Sequence, residues 1–221
     1  MAHNISLKDC NVVIIANTFN VAIMNSVWLY KNGIFTEEEL QGCTSFPVTV
    51  QLQTNRFHFN LVPDRLQFTL KPEVTNKKGL IKEKIGTLVN TLPHTPFTAA
   101  GLNFTYHITP VGENVQSLSR QLFHNENSAL FEGNDIDNGD LKFGGYFSKD
   151  WHETRFRLDA KPVNVKEGSE NIEKIKFAYN FNINLDQHAD NNEKIMTDLF
   201  EKWDEAELFT KQLTEKINAK E

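Results

Sequence analysis

A chain of 221 residues is long enough to bury one sizeable core or two small ones, and its 39% apolar content with 17 phenylalanines is that of a folded protein. No apolar run reaches the roughly 18–20 residues that cross a bilayer, and the two cysteines, Cys10 and Cys43, are too few for a cysteine-based zinc site without help from histidines. The net charge of −6 divides unevenly: residues 1–95 carry 9 Lys/Arg against 7 Asp/Glu, and residues 96–221 carry 14 against 22. This balance excludes a wholly basic nucleic-acid-binding domain but leaves room for a local basic patch.

The opening "MAHNISLKDCNVVIIAN" has no basic region followed by an apolar stretch and a small-residue cleavage site, so a cytoplasmic protein with two reduced thiols is expected. Apolar residues on both parities from Asn11 predict a first strand covered on both sides. Thr36 as N-cap and Glu39 three residues on predict a short helix. Three alternating segments follow. Phe46, Val48, Val50 and Leu52 oppose Thr49, Gln51 and Gln53; Phe57, Phe59 and Leu61 oppose Arg56, His58 and Asn60; Leu66, Phe68 and Leu70 oppose Arg65, Gln67, Thr69 and Lys71. A helix from about Asn76 carries Ile81, Ile85, Leu88, Val89 and Leu92 on one face and stops at Pro93.

From residue 97 the series starts again. Leu102, Phe104, Tyr106 and Ile108 alternate with Asn103, Thr105, His107 and Thr109, and Val115, Leu118 and Leu122 mark a short helix. After a polar loop, "LKFGGYF" reads as a strand with a bulge or bend at Gly144 and Gly145. Phe156, Leu158 and Ala160 alternate with Arg155, Arg157, Asp159 and Lys161, and Ile175 to Leu185 form the longest alternation. One long amphipathic helix from near Asp190 ends the chain, with a stripe of Ile195, Leu199, Trp203, Ala206, Phe209, Leu213 and Ile217.

The order strand, helix, three strands, helix therefore occurs twice, over residues 1–95 and 96–221, which predicts an α+β fold in one continuous domain. The sheet is expected to be mostly antiparallel, with helices on its apolar face. This order resembles the saddle of TATA-box-binding proteins. The resemblance covers nearly the whole chain and rests on topology; none of that family's DNA-contacting sequence is present, so it implies a fold and no site residues. The segment "TPFTAAGLNFTYHI" is similar to a mid-chain strand in a loose group of uncharacterised bacterial proteins and implies no function.

Chemistry-bearing patterns are sparse. His58, His94, His107 and His152 lack helical i, i+4 pairing and read as solvated or hydrogen-bonded residues, not as metal ligands or general bases. The loop "NDIDNGD" fails the calcium-loop register, because Gly139 and Asp140 stand where an oxygen ligand and glycine are required. There is no nucleophile elbow or phosphate-cradling glycine loop. No catalytic residue, metal or cofactor is assigned.

What remains is the polar sheet face. Its eight bases, Arg56, Arg65, Lys71, Arg155, Arg157, Lys161, Lys174 and Lys176, outnumber three acids, Glu153, Asp159 and Asp186. Between them lie His58, Gln67, Asn103, Thr105, His107, Asn180, Asn182 and Asn184, with Trp151 as the main aromatic group for base stacking. The expected function is non-enzymatic binding or assembly with a protein partner, through this face or the last helix, where Leu208, Met196 and Phe200 lie beside the core stripe. The alternatives are non-specific nucleic-acid binding by the basic face, and a small-ligand protein or enzyme with its site between sheet and helix. A homo-oligomer contact on the last helix is a further option, and no membrane partner is expected.

Overall fold

The computed structural model describes residues 2–125, 141–186 and 191–219. Nine strands form one antiparallel sheet: β1 (Asn4–Ala16), β2 (Thr44–Phe46), β3 (Thr49–Gln53), β4 (Phe57–Val62), β5 (Arg65–Leu70), β6 (Phe97–Thr109), β7 (Gly145–Trp151), β8 (Thr154–Glu167) and β9 (Glu170–Asn184). Their spatial order is β2-β3-β4-β5-β1-β6-β9-β8-β7. The two long strands β1 and β6 lie side by side at the centre, paired from Asn4 opposite Thr109 to Ala16 opposite Phe97. Each is followed by a meander that folds back and closes on it, β5 on β1 and β9 on β6. The fold is thus α+β with an antiparallel sheet.

Period-2 patterning explains which face is buried. Val50, Leu52, Phe57, Phe59, Leu61, Leu66, Phe68 and Leu70 are buried from the first meander, and Phe156, Leu158, Phe177, Tyr179 and Phe181 from the second. Both sets belong to one apolar cluster with Leu102, Phe104, Tyr106 and Ile108 of β6. Helices cover this face. Trp203 packs tilted against Phe104 with ring centroids 4.8 Å apart, Phe209 meets Phe156 at 5.3 Å, and Phe123 meets Phe177 at 6.1 Å. Tyr106 and Tyr179 place their hydroxyls against Thr210 and Thr214, at 3.4 and 2.8 Å, which satisfies polar atoms inside the core.

The first strand differs from expectation. It is covered on one side only: Cys10, Val12, Ile14 and Ala16 are buried, while Val13 and Ile15 are half-exposed. Upstream, the core-facing residues are Ile5 and Leu7, of the opposite parity. A bulge reconciles the two. Leu7 pairs with Tyr106 and Asp9 with Thr105, so Lys8 is the extra residue that resets the alternation.

The helices also depart from the sequence reading in four places. Thr36 and Glu39 do close a reciprocal capping box, Thr36 N–H to Glu39 Oε2 at 3.0 Å and Glu39 N–H to Thr36 Oγ1 at 3.2 Å, but residues 37–42 form only turns, ended by Gly42 at φ 83°. The helix of this connection is instead α1 (Ser26–Lys31), capped by Asn25. The helix from Asn76 comprises α2 (Lys77–Ile81), a wider π turn over Lys82–Gly86, and α3 (Thr87–Asn90). The single terminal helix is two, α5 (Asn192–Glu201) and α6 (Trp203–Glu215), divided at Lys202; Trp203 is fully buried at the division. Helix α4 (Val115–Phe123) forms where Val115, Leu118 and Leu122 place it. Phe46 and Val48 are exposed and do not continue the inward row, because Pro47 and Val48 make the two-residue turn that folds β2 back on β3. The calcium-loop letters at 134–140 lie outside the described residues.

Candidate functional site: the polar face of the sheet

Opposite the helices, the out-of-phase side chains of successive strands fall into rows set by the strand register. One row runs through eight strands: Gln53, His58, Thr69, Asn11, Asn103, Asn180, Arg157 and Ser148. The next contains Gln51, Asn60, Gln67, Val13, Gly101, Asn182, Arg155 and Asp150. Neighbouring strands lie about 4.8 Å apart, so polar side chains in a row are within mutual reach.

The centre of the first row is a ladder of amides. Asn180 Nδ2 donates to Asn103 Oδ1 at 2.8 Å, and Asn103 Nδ2 donates to Asn11 Oδ1 at 2.9 Å. Asn11 Nδ2 then donates to Asp9 Oδ2 at 2.7 Å. All bonds point one way and end on a carboxylate, the strongest acceptor available. Asn11, only 4% exposed, tolerates burial because its amide is used on both sides. Burial raises the pKa of Asp9, and the bonds from Asn11 and from the Cys10 backbone N–H partly offset this. A parallel chain on β5 runs from Arg65 to Gln67 Oε1 (3.0 Å) and from Gln67 Nε2 to Thr69 Oγ1 (3.2 Å).

Beside the ladder the face dips into a depression of about 380 Å³, with Val13, Ile15, Ala99 and Gly101 between the ladder amides and Arg65. Gly101 creates the dip. A Cβ there would stand 3.1 Å from the Phe181 carbonyl oxygen and 3.2 Å from Asn180 Nδ2, closer than ordinary contact allows. A broader hollow of about 920 Å³ continues past Arg155, Arg157, Asn182 and Asn184 to Lys194 and Asp198 on α5.

Charge on the face is less one-sided than its base count implies. Arg155 pairs with Asp150 at 2.9 Å, Lys161 with Asp159 at 2.6 Å, and Lys174 with Glu167. Glu153, by contrast, reaches Lys202 near the helices. Among the described residues no carboxylate pairs with Arg56, Arg65, Lys71, Arg157 or Lys176. His107 pairs in register with Lys176 and Ser6. Its pKa is lowered, first by burial and then by Lys174, Lys8 and Lys176.

The predicted site residues that lie within strands thus share one face but not one cluster. Asn103 and Asn180 are in the ladder; Arg65, Asn182, Arg155 and Arg157 line its hollows; His107, Lys174 and Lys176 gather at another end; and His58 stands in the first row on β4. Arg56 and Lys71 flank the ends of β4 and β5, joined by a Lys71 N–H bond to the Arg56 carbonyl. Lys174 is only 5% exposed, which the sequence did not indicate. Trp151 lies instead on the helix side, buried 4.6 Å from Phe181 by ring centroid, because it shares the parity of Phe147 and Lys149, which pair with the inward Leu158 and Phe156. The exposed aromatic group in register on the polar face is Tyr146, opposite Asp159.

Asp9, Asn11 and Gly101 were missed as site residues. The available signal was Asn11 standing as a lone amide between Cys10 and Val12 at the edge of an apolar run, with Asn103 at a matching place in "GLNF".

The histidines are dispersed. His94 lines an apolar groove of about 710 Å³ with Phe19, Val21, Met24 and four prolines, and His152 pairs with Glu205 at 2.8 Å. Among the described residues no three His, Cys, Asp or Glu side chains are grouped to hold a metal ion. None of the described helices is long and apolar enough to cross a membrane. Compared with known proteins, the sequence matches no protein-family model and has no significant match among curated proteins.

Proposed function

We propose that this chain is a non-enzymatic binding or assembly protein whose protein partner docks on the polar sheet face. The observation that carries this reading is the row of hydrogen-bonding side chains running through eight strands, on the face opposite the described helices. Arg65 and Arg157 stand to either side of the Gly101 depression, on strands from the two halves of the chain. Arginine and amide groups of this kind form the polar contacts of protein interfaces, where arginine is enriched at the sites that dominate affinity.

Affinity capture from the native host tests the reading, with the wild type compared against an Arg65→Ala/Arg157→Ala/Asn182→Ala variant and against Leu208→Ala on α6. Loss of the same partner from the first variant and retention by the second supports it. Retention by the face variant refutes it, and loss on Leu208→Ala alone moves the interface to the last helix.

The unpaired bases favour a second reading, non-specific binding of nucleic acid by backbone phosphates. Fluorescence polarisation with single- and double-stranded oligonucleotides then shows affinity falling steeply between about 50 and 200 mM salt. Absence of binding at the lower salt concentration eliminates this reading.

A further inference from the structure

We propose that Lys8, His107, Lys174 and Lys176 form a binding site for a phosphate group at the end of the polar face where β1, β6 and β9 meet. The proposal deepens the binding role above and rests on it only for what carries the phosphate.

Three features of the backbone assemble the cluster. Lys8 follows Ser6 by two residues and so keeps its parity, and the β1 bulge behind it brings Asp9 opposite Thr105 on the same face. Across the strands, Ser6, His107, Lys176 and Lys161 stand in one row, so Lys176 directly faces both an imidazole and another lysine. Lys174 lies two residues along β9 on the same side, its side chain 6% exposed.

Like charges placed opposite each other across a sheet are destabilising. Here only part of that repulsion is answered from within. Glu167 is taken by Lys174, and Asp159 by Lys161. Lys8 and Lys176 have no carboxylate partner among the described residues. With neutral His107, Lys8, Lys174, Lys176 and Glu167 sum to a formal charge of about +2, which Asp9 beside Lys8 reduces to about +1 when ionised, so the cluster stays cationic and attracts an anion.

His107 Nδ1 is buried with no hydrogen-bond partner among the described residues, so no carboxylate fixes the ring. The groups acting on it are Lys8 from β1, Lys174 and Lys176 from β9, and Glu167 from β8. The lysines and burial hold its pKa down. A phosphate seated among those lysines reverses their effect, so His107 itself reports occupancy.

The experiment follows the His107 ring by NMR in the full chain, assigned by the signal lost in His107→Gln. Its pH titration is measured at increasing inorganic phosphate, with ionic strength held constant by sodium chloride, because salt alone screens the lysines. The expected result is an upward, saturable shift in the His107 midpoint. Lys8→Ala and Lys176→Ala each weaken the apparent phosphate affinity roughly fivefold, as for a partly exposed ion pair. O-phosphoserine saturating at lower concentration than phosphate identifies a phosphorylated side chain as the source; equal concentrations identify free phosphate. A response to phosphate no larger than to chloride overturns the proposal, as does an equal response to acetate. None of the four residues replaced in the partner-capture test belongs to this cluster, so either result stands if the other fails.

Discussion

Replacing Asn103 by alanine separates a structural amide ladder from a row of solvated side chains. Asn103 accepts from Asn180 and donates to Asn11, so Asn103→Ala removes two hydrogen bonds, whereas Asn180→Ala removes one of these. At about 1 kcal/mol net per bond, the losses are about 2 and about 1 kcal/mol. Asn103→Ala also leaves the Oδ1 of the buried Asn11 without its donor, adding about 1 kcal/mol. For a chain of 221 residues, 1 kcal/mol moves Tm by about 2–4 °C. Thermal unfolding followed by circular dichroism should therefore show a fall of about 6–12 °C for Asn103→Ala and about 2–4 °C for Asn180→Ala. The double variant should be less destabilised than the sum of the singles by about 1 kcal/mol, because both remove the same bond. Equal effects of the two single substitutions, or strict additivity, would refute the ladder as a coupled unit.

Gly101→Ala places a methyl against a sheet-paired carbonyl that cannot withdraw freely and should cost about 1–3 kcal/mol, read by urea unfolding. Burial makes the folded state bind the Asp9 proton more tightly than the unfolded state, so this group's contribution to stability falls as pH rises from the ordinary aspartate range through the raised pKa. Asp9→Asn removes that fall, and its Tm advantage over the wild type should grow between about pH 4 and 7. Lys84, 3% exposed, pairs with Glu39 at 2.7 Å; Glu39→Ala leaves it only the exposed Glu83 and opens the Thr36 capping box, costing about 2–3 kcal/mol in the same unfolding assay. Burial pushes the Cys10 thiol up to about 12, so iodoacetamide at about pH 8 should label Cys43 first and Cys10 only after unfolding.

Much of the architecture was legible because it depends on local periodicity. Phe57, Phe59 and Leu61, or Phe177, Tyr179 and Phe181, alternate strictly, and a strand has no other way to bury such a set. The face assignment of Arg65, Asn103, Arg157, Asn180 and Asn182 follows from the same parity. Boundaries were harder. Phe46 and Val48 fit the alternation but lie in a hairpin, and the Thr36 capping box closes without a helix, since each local signal was outweighed by the turn beside it.

The sequence by itself determined which residues face the core, since hydrocarbon at period two must leave water wherever the strand is placed. It could not determine what stands beside what on the other face. That Asn11, Asn103 and Asn180 share one row depends on how β1, β6 and β9 pair, across separations of 92 and 77 residues. That Lys8 joins His107, Lys174 and Lys176 depends on how β1, β6 and β9 pair, visible only once the three strands are laid side by side. Parity is a property of one strand, whereas register is a property of two, and only the tertiary structure decides register.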